Sequence, residues 1–310
     1  MSDIKLFRLT GNQADPIAGA TIGLEKTLQS LMEANLETLL GVRFLVSEHH
    51  TGAIHGGRID TLGLDEDGAP VIIEYKRTAN DNIINQGLFY LDWLLDHRGE
   101  FELLVQKQLG PEATAAIDWP STRLLCIASD FNRYDDHAVR QINRNIELIR
   151  YRRFEPDLFL LELATRITGP VAESSASAVG SAPASTTKGH YKTMADIIAE
   201  LPQDGPLLVL LESVRDWMAA LGDDVEAKQL KYYLRFRRLL NFASIEIRPQ
   251  KGHLLMFIKV DPATVDLEPG FTRDVSNIGH LGVGNLEITI PDQEAFEKAQ
   301  PLIQRSYEGQ

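Results

Sequence analysis

Chemistry is easiest to place in residues 56–77, GGRIDTLGLDEDGAPVIIEYKR, which carry Asp60, Glu74 and Lys76. Polar and apolar residues alternate on both sides of Asp65-Glu66-Asp67-Gly68, a turn sequence, so the stretch predicts a β-hairpin. Successive strand side chains alternate faces, which sets Glu74 and Lys76 on one face and Ile73 and Tyr75 on the other. Asp60, on the preceding strand, can then meet Glu74 across the ladder. Two carboxylates so placed suit Mg2+ or Mn2+, because such a cation takes one or two protein carboxylates and keeps waters and phosphate oxygens elsewhere. The Tyr75 main-chain carbonyl is a candidate third ligand. A bound ion polarises a phosphate and lowers the pKa of a bound water, while the Lys76 ammonium can orient that water and offset transition-state charge. That chemistry is phosphodiester hydrolysis. An Asp followed by Glu-x-Lys also arises by chance in an exposed, ion-paired strand. Here, however, the pair continues the apolar run 71–73, which reads as a central strand, where charges are seldom buried unless paired or bound to metal.

The elements that must position these residues follow from periodicity. Leu24, Leu28, Leu31, Leu39 and Leu40 predict an opening helix over residues 24–40, stopped by Gly41. A second helix is predicted over about 80–97, with Ile83, Leu88, Leu91, Leu94 and Leu95 on one broad face. Residues 101–105 and 124–128 read as core strands, 135–145 as a helix and 146–151 as a strand, with one more strand at 158–163. Residues 169–190, GPVAESSASAVGSAPASTTKGH, have too little apolar surface to order themselves and read as a disordered linker between domains 1–168 and 191–310. In the second domain, helices are expected at 194–200, 207–221, 226–240 and 293–307, and strands at 244–248, 254–260 and 286–290. This is a small α+β module.

GRIDTLGLDEDGAPVIIEYKR followed by QGLFY resembles motifs II and III of the PD-(D/E)XK nucleases, with the Q-x-x-x-Y extension of the RecB-like branch. LEKTLQSLMEANLETLLG is similar to the first helix of the DNA endonucleases called NucS, and the likeness covers residues 24–96. The resemblance implies an α/β, restriction-endonuclease-like mixed sheet flanked by helices. It also implies Asp60 and Glu74 as metal ligands and Lys76 as the catalytic lysine. Gln86 and Tyr90 match the extension; at i and i+4 they share a helix face that can reach the metal or a phosphate, although a core tyrosine and a solvated glutamine would look the same. Glu25 falls at the NucS motif I glutamate and borders the apolar stripe, so it is expected as the extra carboxylate. Glu33 and Glu37 are expected to be solvated, with Glu48 ranking behind Glu25. Two departures stand out. Ile59 occupies the position of the family's proline, and the nuclease-like part comes first here, whereas NucS carries it C-terminally, so the NucS preference for mismatched or branched DNA is not carried over. The C-terminal half resembles a module of bacterial proteins loosely described as predicted transport proteins.

Bulk properties set the frame. A chain of 310 residues favours two domains, and 44% hydrophobic with 24% charged residues fits a globular protein. No apolar run approaches the ~20 residues of a membrane span, and the N-terminus lacks a signal-peptide pattern, so a cytoplasmic location is expected. Cys126, the single cysteine, excludes an intrachain disulfide and reads as a buried strand residue. A net charge of −13 opposes attraction to nucleic acid unless positive charge is concentrated locally. Arg140, Arg144, Arg150 and Arg152 read either as a phosphate-tracking surface or as partners of nearby acids. Lys231 and Arg235, set among Tyr232, Tyr233 and Phe236, read either as a nucleic-acid face or as a helix that buries its aromatics. His49, His50 and His55 lack zinc spacing, and the glycine-rich run 279–285 precedes a strand, so it reads as a turn. The expectation is a Mg2+- or Mn2+-dependent DNA endonuclease, with a catalytically silent nuclease-like binding module as the alternative. DNA is the expected partner, a protein partner is open to the second domain, and the fold class admits a homodimer.

Overall fold

The computed structural model describes residues 4–77, 82–169 and 192–309. The chain divides into two compact units, Met1–Ala176 and Ser177–Gln310. Of the expected linker, residues 170–190 lie outside the described residues. No helix among the described residues is long and apolar enough to cross a membrane.

The first unit begins with an exposed hairpin, β1 (Leu6–Thr10) and β2 (Gln13–Ile17), followed by β3 (Gly19–Ala20). There follow α1 (Glu25–Ala34), α2 (Leu36–Leu40), β4 (Val42–His50), α3 (Gly52–His55), β5 (Arg58–Asp65) and β6 (Pro70–Lys76). Next come α4 (Ile83–Asp96), α5 (Arg98–Leu109), α6 (Pro111–Ala115), β7 (Arg123–Ala128), α7 (Arg133–Arg140), β8 (Asn145–Phe154) and β9 (Leu158–Ile167). The main sheet runs β3-β8-β7-β6-β5-β4, and β9 also pairs with β8. β4, β5 and β6 form an antiparallel meander, whereas β6, β7 and β8 are parallel. Val71, Ile72, Ile73, Leu124, Leu125 and Ile127 are fully buried, as a parallel centre covered on both faces requires. α4 packs on β6 and β7, and α1 on β5 and β6. Gly87 lets α4 approach closely, since a Cβ there would lie 2.6 Å from Leu124.

The mixed sheet flanked by helices is the architecture expected from the sequence, but two local expectations are corrected and one strand is added. The opening helix breaks at Asn35 into α1 and α2, and Gly41 ends α2 in a left-handed conformation with φ 63°. Residues 101–105 lie in α5 rather than in a strand; Phe101 and Val105, four apart, are its buried side chains, which is helical spacing. β4 carries no advance signal in the sequence reading, yet it completes the meander.

The second unit contains α8 (Met194–Glu200), α9 (Pro206–Ala219), β10 (Glu226–Gln229), β11 (Leu234–Arg237), β12 (Asn241–Arg248), β13 (His253–Ile258), β14 (Thr272–Asp274), β15 (Leu286–Ile290) and α10 (Gln293–Glu308). Its antiparallel sheet runs β10-β11-β12-β13-β15-β14. Leu211, Val214, Phe236, Ile245, Met256, Ile288, Phe296 and Ile303 lie in its core. The helix expected at 226–240 is instead the β10–β11 hairpin. Leu234 and Phe236 enter the core while Arg235 alternates with them and is 3% exposed. This overturns Arg235 as a nucleic-acid contact on a helix, because its guanidinium is buried against Glu226 at 3.0 Å. Lys231 lies in the turn between the two strands, its ammonium 5.0 Å from the Tyr232 ring.

Candidate active site

The site forms where the β5–β6 ladder opens. The ladder pairs Thr61 with Ile73. One residue further along, side chains replace the backbone rungs. The Asp60 N–H donates to Glu74 Oε1 at 3.2 Å, and the Tyr75 N–H donates to Asp60 Oδ2 at 3.0 Å. Each strand amide is thereby satisfied by the acid of the opposite strand, and the two carboxylates are fixed side by side at the end of the hairpin. The other Glu74 oxygen, Oε2, accepts from Gln86 Nε2 at 2.9 Å. The Asp60 and Glu74 carboxyls are also in direct side-chain contact.

Neighbouring elements complete the arrangement. Glu25, the first residue of α1, accepts from Lys76 Nζ at 3.0 Å. Tyr90 is buried, and its hydroxyl accepts from the Arg58 N–H at 3.0 Å and lies 3.5 Å from Gln86 Nε2. Gly57 makes room for that ring, because a Cβ there would lie 2.5 Å from it. The structure thus brings together two hydrogen-bonded groups, Asp60, Glu74, Gln86 and Tyr90 in one and Lys76 with Glu25 in the other, with the Lys76 ammonium in the field of both acids. Tyr90 joins the start of β5 to Gln86. The Tyr75 side chain points to the other face, where burial and then the Glu33 charge raise its pKa against a Thr61 contact that lowers it.

Crowding governs the electrostatics. Glu74 is wholly buried, and burial followed by the Asp60 charge pushes its pKa up to about 9, against the Asp60 N–H and Lys76. Burial also raises Asp60, against the Tyr75 N–H and Lys76. For Lys76, burial works downward, but the Glu25 hydrogen bond and the surrounding carboxylates outweigh it and raise the pKa. Among the described residues no three His, Cys, Asp or Glu side chains converge as a metal cage. A hydrated Mg2+ or Mn2+ needs only one or two protein carboxylates. The close approach and mutual repulsion of the two acids fit that kind of ion.

The sequence reading missed a second tier on α1. Gln29 is buried, and its Nε2 donates to the Asp60 carbonyl at 2.8 Å and to Glu33 Oε1 at 3.0 Å. Glu33, expected to be solvated, also accepts from Thr61 Oγ1 at 2.6 Å. Glu25, Gln29 and Glu33 recur every four residues, a polar stripe that was legible as the site-facing side of the helix. Glu37 is exposed, as expected. Glu48 stands across from this stripe with a left-handed backbone, φ 56°. One of its oxygens accepts from Lys26 at 2.8 Å and the other meets Arg58. The Lys26 hydrogen bond holds the Glu48 carboxyl below the usual range despite partial burial. Lys26 and Arg58 remain 62% and 58% exposed at the rim.

The arginines proposed as a phosphate track lie elsewhere and have partners. Arg140 pairs with Asp136 at 3.1 Å, and Arg150 pairs with Asp130 at 2.8 Å and Glu162 at 3.6 Å. Arg152 donates to the Ile4 carbonyl at 3.3 Å, and the exposed Arg144 donates to the Asn143 carbonyl at 3.2 Å. Acid bridging describes Arg140 and Arg150.

Among known proteins, residues 194–310 match the family described as Domain of unknown function (DUF5655). An uncharacterised protein of Haemophilus influenzae is 29% identical over 313 residues, spanning 98% of this chain and 99% of the relative. Among solved structures, a repair endonuclease from Pyrococcus abyssi aligns with 45% of this chain and 50% of its own, at 20% identity and a TM-score of 0.28. The EndoMS-dsDNA2 complex aligns with 42% of this chain and 46% of its own, at 20% identity and a TM-score of 0.26. The chain therefore spans about half the length of each of these two structures.

Proposed function

We propose that the first unit is a Mg2+- or Mn2+-dependent DNA endonuclease that hydrolyses phosphodiester bonds at Asp60, Glu74 and Lys76. The observation that carries this reading is the opened hairpin, in which two crowded carboxylates and a lysine share one end of a buried strand. Asp60, Glu74 and the Tyr75 carbonyl would hold the metal. When bound, such an ion polarises the phosphate and lowers the pKa of a bound water. Lys76, held by Glu25, presents an ammonium that orients the attacking water and offsets charge in the transition state. Gln86 fixes the Glu74 carboxylate, and Tyr90 fixes the start of β5 against α4. Lys26 and Arg58 share the Glu48 carboxylate between them, which leaves one net positive charge at the rim of a chain of net charge −13. A role in repair, restriction or defence fits this activity, with the second unit supplying recognition or a protein partner.

The test is nicking of circular single- and double-stranded DNA with Mg2+ or Mn2+ at low salt. Wild type is expected to nick at least one form. Glu74→Ala should abolish the cut, and Lys76→Ala should slow it by about 10²–10³-fold, the usual effect of losing one transition-state donor. Wild-type protein that neither cuts DNA nor takes up Mn2+ in calorimetry would leave a catalytically silent binding module instead.

A further inference from the structure

Gln29, in the middle of α1, is 3% exposed, a depth at which a glutamine amide must find partners at both of its ends. Its orientation is fixed by what surrounds it. Oε1 faces the Lys26 ammonium at 3.2 Å, a group that only donates. Nε2 faces oxygens, with the Asp60 carbonyl at 2.8 Å, Glu33 Oε1 at 3.0 Å and Ser47 Oγ at 3.1 Å, and the Glu48 carboxylate draws on the same amide. Of the three distances, the one to Asp60 is the shortest. Asp60 needs such a partner because the backbone pairing of β5 with β6 stops at Thr61 and Ile73. Its N–H donates to Glu74 and its carboxylate accepts from the Tyr75 N–H, both on β6, while its carbonyl is gripped from α1. The same helix carries Glu25, which holds Lys76. One helix thus sets both the peptide of the acid and the ammonium beside it.

We propose that Gln29 is a positioning residue that aims the Asp60 carboxylate at the divalent ion, with Lys26 locking its amide in the orientation that the task requires. This rests on the nuclease reading above and adds to it a determinant of metal affinity. Gln29 offers the ion nothing directly. A cation seeks oxygen lone pairs, whereas Nε2 is a donor and Oε1 is occupied by Lys26. Nor does packing account for it. An apolar side chain of the same size would fill the space and leave the Asp60 carbonyl without this donor. The carboxylate rides on the peptide that Gln29 grips, so a tilt of that peptide plane displaces its oxygens from the ion and from the Tyr75 N–H together. Partners one step removed from a metal are worth about 10- to 100-fold in its affinity. Lys26 is anchored in turn by Glu48 at 2.8 Å, so the chain of contacts runs from a rim ion pair to the metal ligand.

The experiment titrates the full chain with Mn2+ by calorimetry, without DNA, and records melting temperatures in EDTA alongside. Gln29→Met keeps the volume and removes the donor, and is expected to weaken Mn2+ binding about 10- to 100-fold. Ser47→Ala removes another contact of the same amide but leaves the one to Asp60, so it should bind Mn2+ as wild type does. Gln29→Glu separates position from charge and serves if the methionine variant does not fold. An added carboxylate strengthens cation binding through its field, whereas an acceptor set against the Asp60 carbonyl pushes the peptide away, so weaker Mn2+ binding is expected in spite of the charge. A residue that only packs α1 would lower the melting temperature of Gln29→Met and leave its Mn2+ affinity alone. That outcome, tighter binding by Gln29→Glu, or a loss in Ser47→Ala equal to that in Gln29→Met would each overturn the proposal. The two readings fail separately. Gln29-dependent Mn2+ affinity without any DNA cleavage removes the nuclease and keeps the positioning role, whereas metal-dependent cleavage with Mn2+ affinity indifferent to Gln29 removes only the positioning role. Wild type that takes up no Mn2+ overturns both.

Discussion

At Glu74 one carboxylate oxygen accepts from the Asp60 amide and the other from Gln86, in a position where burial and the Asp60 charge push the pKa up to about 9. A carboxyl whose folded pKa lies above its unfolded value favours folding in its protonated form. That stabilisation is complete below the unfolded value near 4.5 and is lost as pH rises through about 9. Metal-free wild type should therefore lose stability between pH 5 and 9 more steeply than Glu74→Gln, which keeps the hydrogen-bonding shape without the charge. At pH 9 in EDTA the variant is expected to be more stable by about 1–3 kcal/mol, the scale of one buried group relieved of an unfavourable state. Mn2+ should reverse that order, since an ion that binds only the folded wild type adds stability by mass action. Parallel pH profiles of the melting temperature for the two proteins would remove Glu74 from this role. At this scale the sequence was informative where strand alternation applies, which is how Glu74 and Lys76 come to share a face. The four-residue spacing of Glu25, Gln29 and Glu33 was there to be read, but not their partners, a main-chain carbonyl and Thr61, contacts that exist only once α1 lies on β5.

α4 connects the site to the sheet, and two glycines set its distance from it. Gly87 admits Leu124 of β7, and Gly57 admits the Tyr90 ring at the start of β5. Gly57→Ala would put a methyl group 2.5 Å from that ring, so Tyr90 must move and Gln86 with it. Misplacing a catalytic constellation by about 1 Å costs on the order of 10²-fold in rate. The expected outcome is a loss of that order in nicking with far-UV circular dichroism unchanged; full activity would show that Tyr90 holds nothing the reaction needs. The elements that were misread share one cause. In residues 101–105 alternating and four-residue spacings coincide over a short window, and only the length of α5 separates them. In β11 the alternation of Leu234 and Phe236 with Arg235 and Arg237 was a strand signal, but Lys231, Arg235 and Arg238 also recur at helical spacing, which is why the segment read as a helix.

For the molecule as a whole, the two units have separate hydrophobic cores, one centred on the mixed sheet and the other on the antiparallel sheet. Composition suggests a division at residues 169–190. The topology of the first sheet was not legible in the sequence, because a parallel β6–β7–β8 centre depends on chain crossovers that no local pattern records. The connections also differ in how much chain they close. The Asp60–Glu74 contact spans 14 residues and Glu74–Gln86 spans 12, whereas Lys76–Glu25 spans 51. Loop closure grows with the logarithm of length, so the longer contact costs about 1 kcal/mol more to form than the shorter ones. The opened hairpin should accordingly belong to the folding nucleus and α1 should dock late. Val71→Ala in β6 should slow refolding, and Leu28→Ala in α1 should mainly speed unfolding, as stopped-flow chevrons can resolve; the reverse pattern would place α1 first. On this order the two acids are crowded together while the chain is still collapsing, before the glutamate that holds the lysine has arrived. The part of the site that most resists assembly is thus laid down first, and the rest of the fold closes around it.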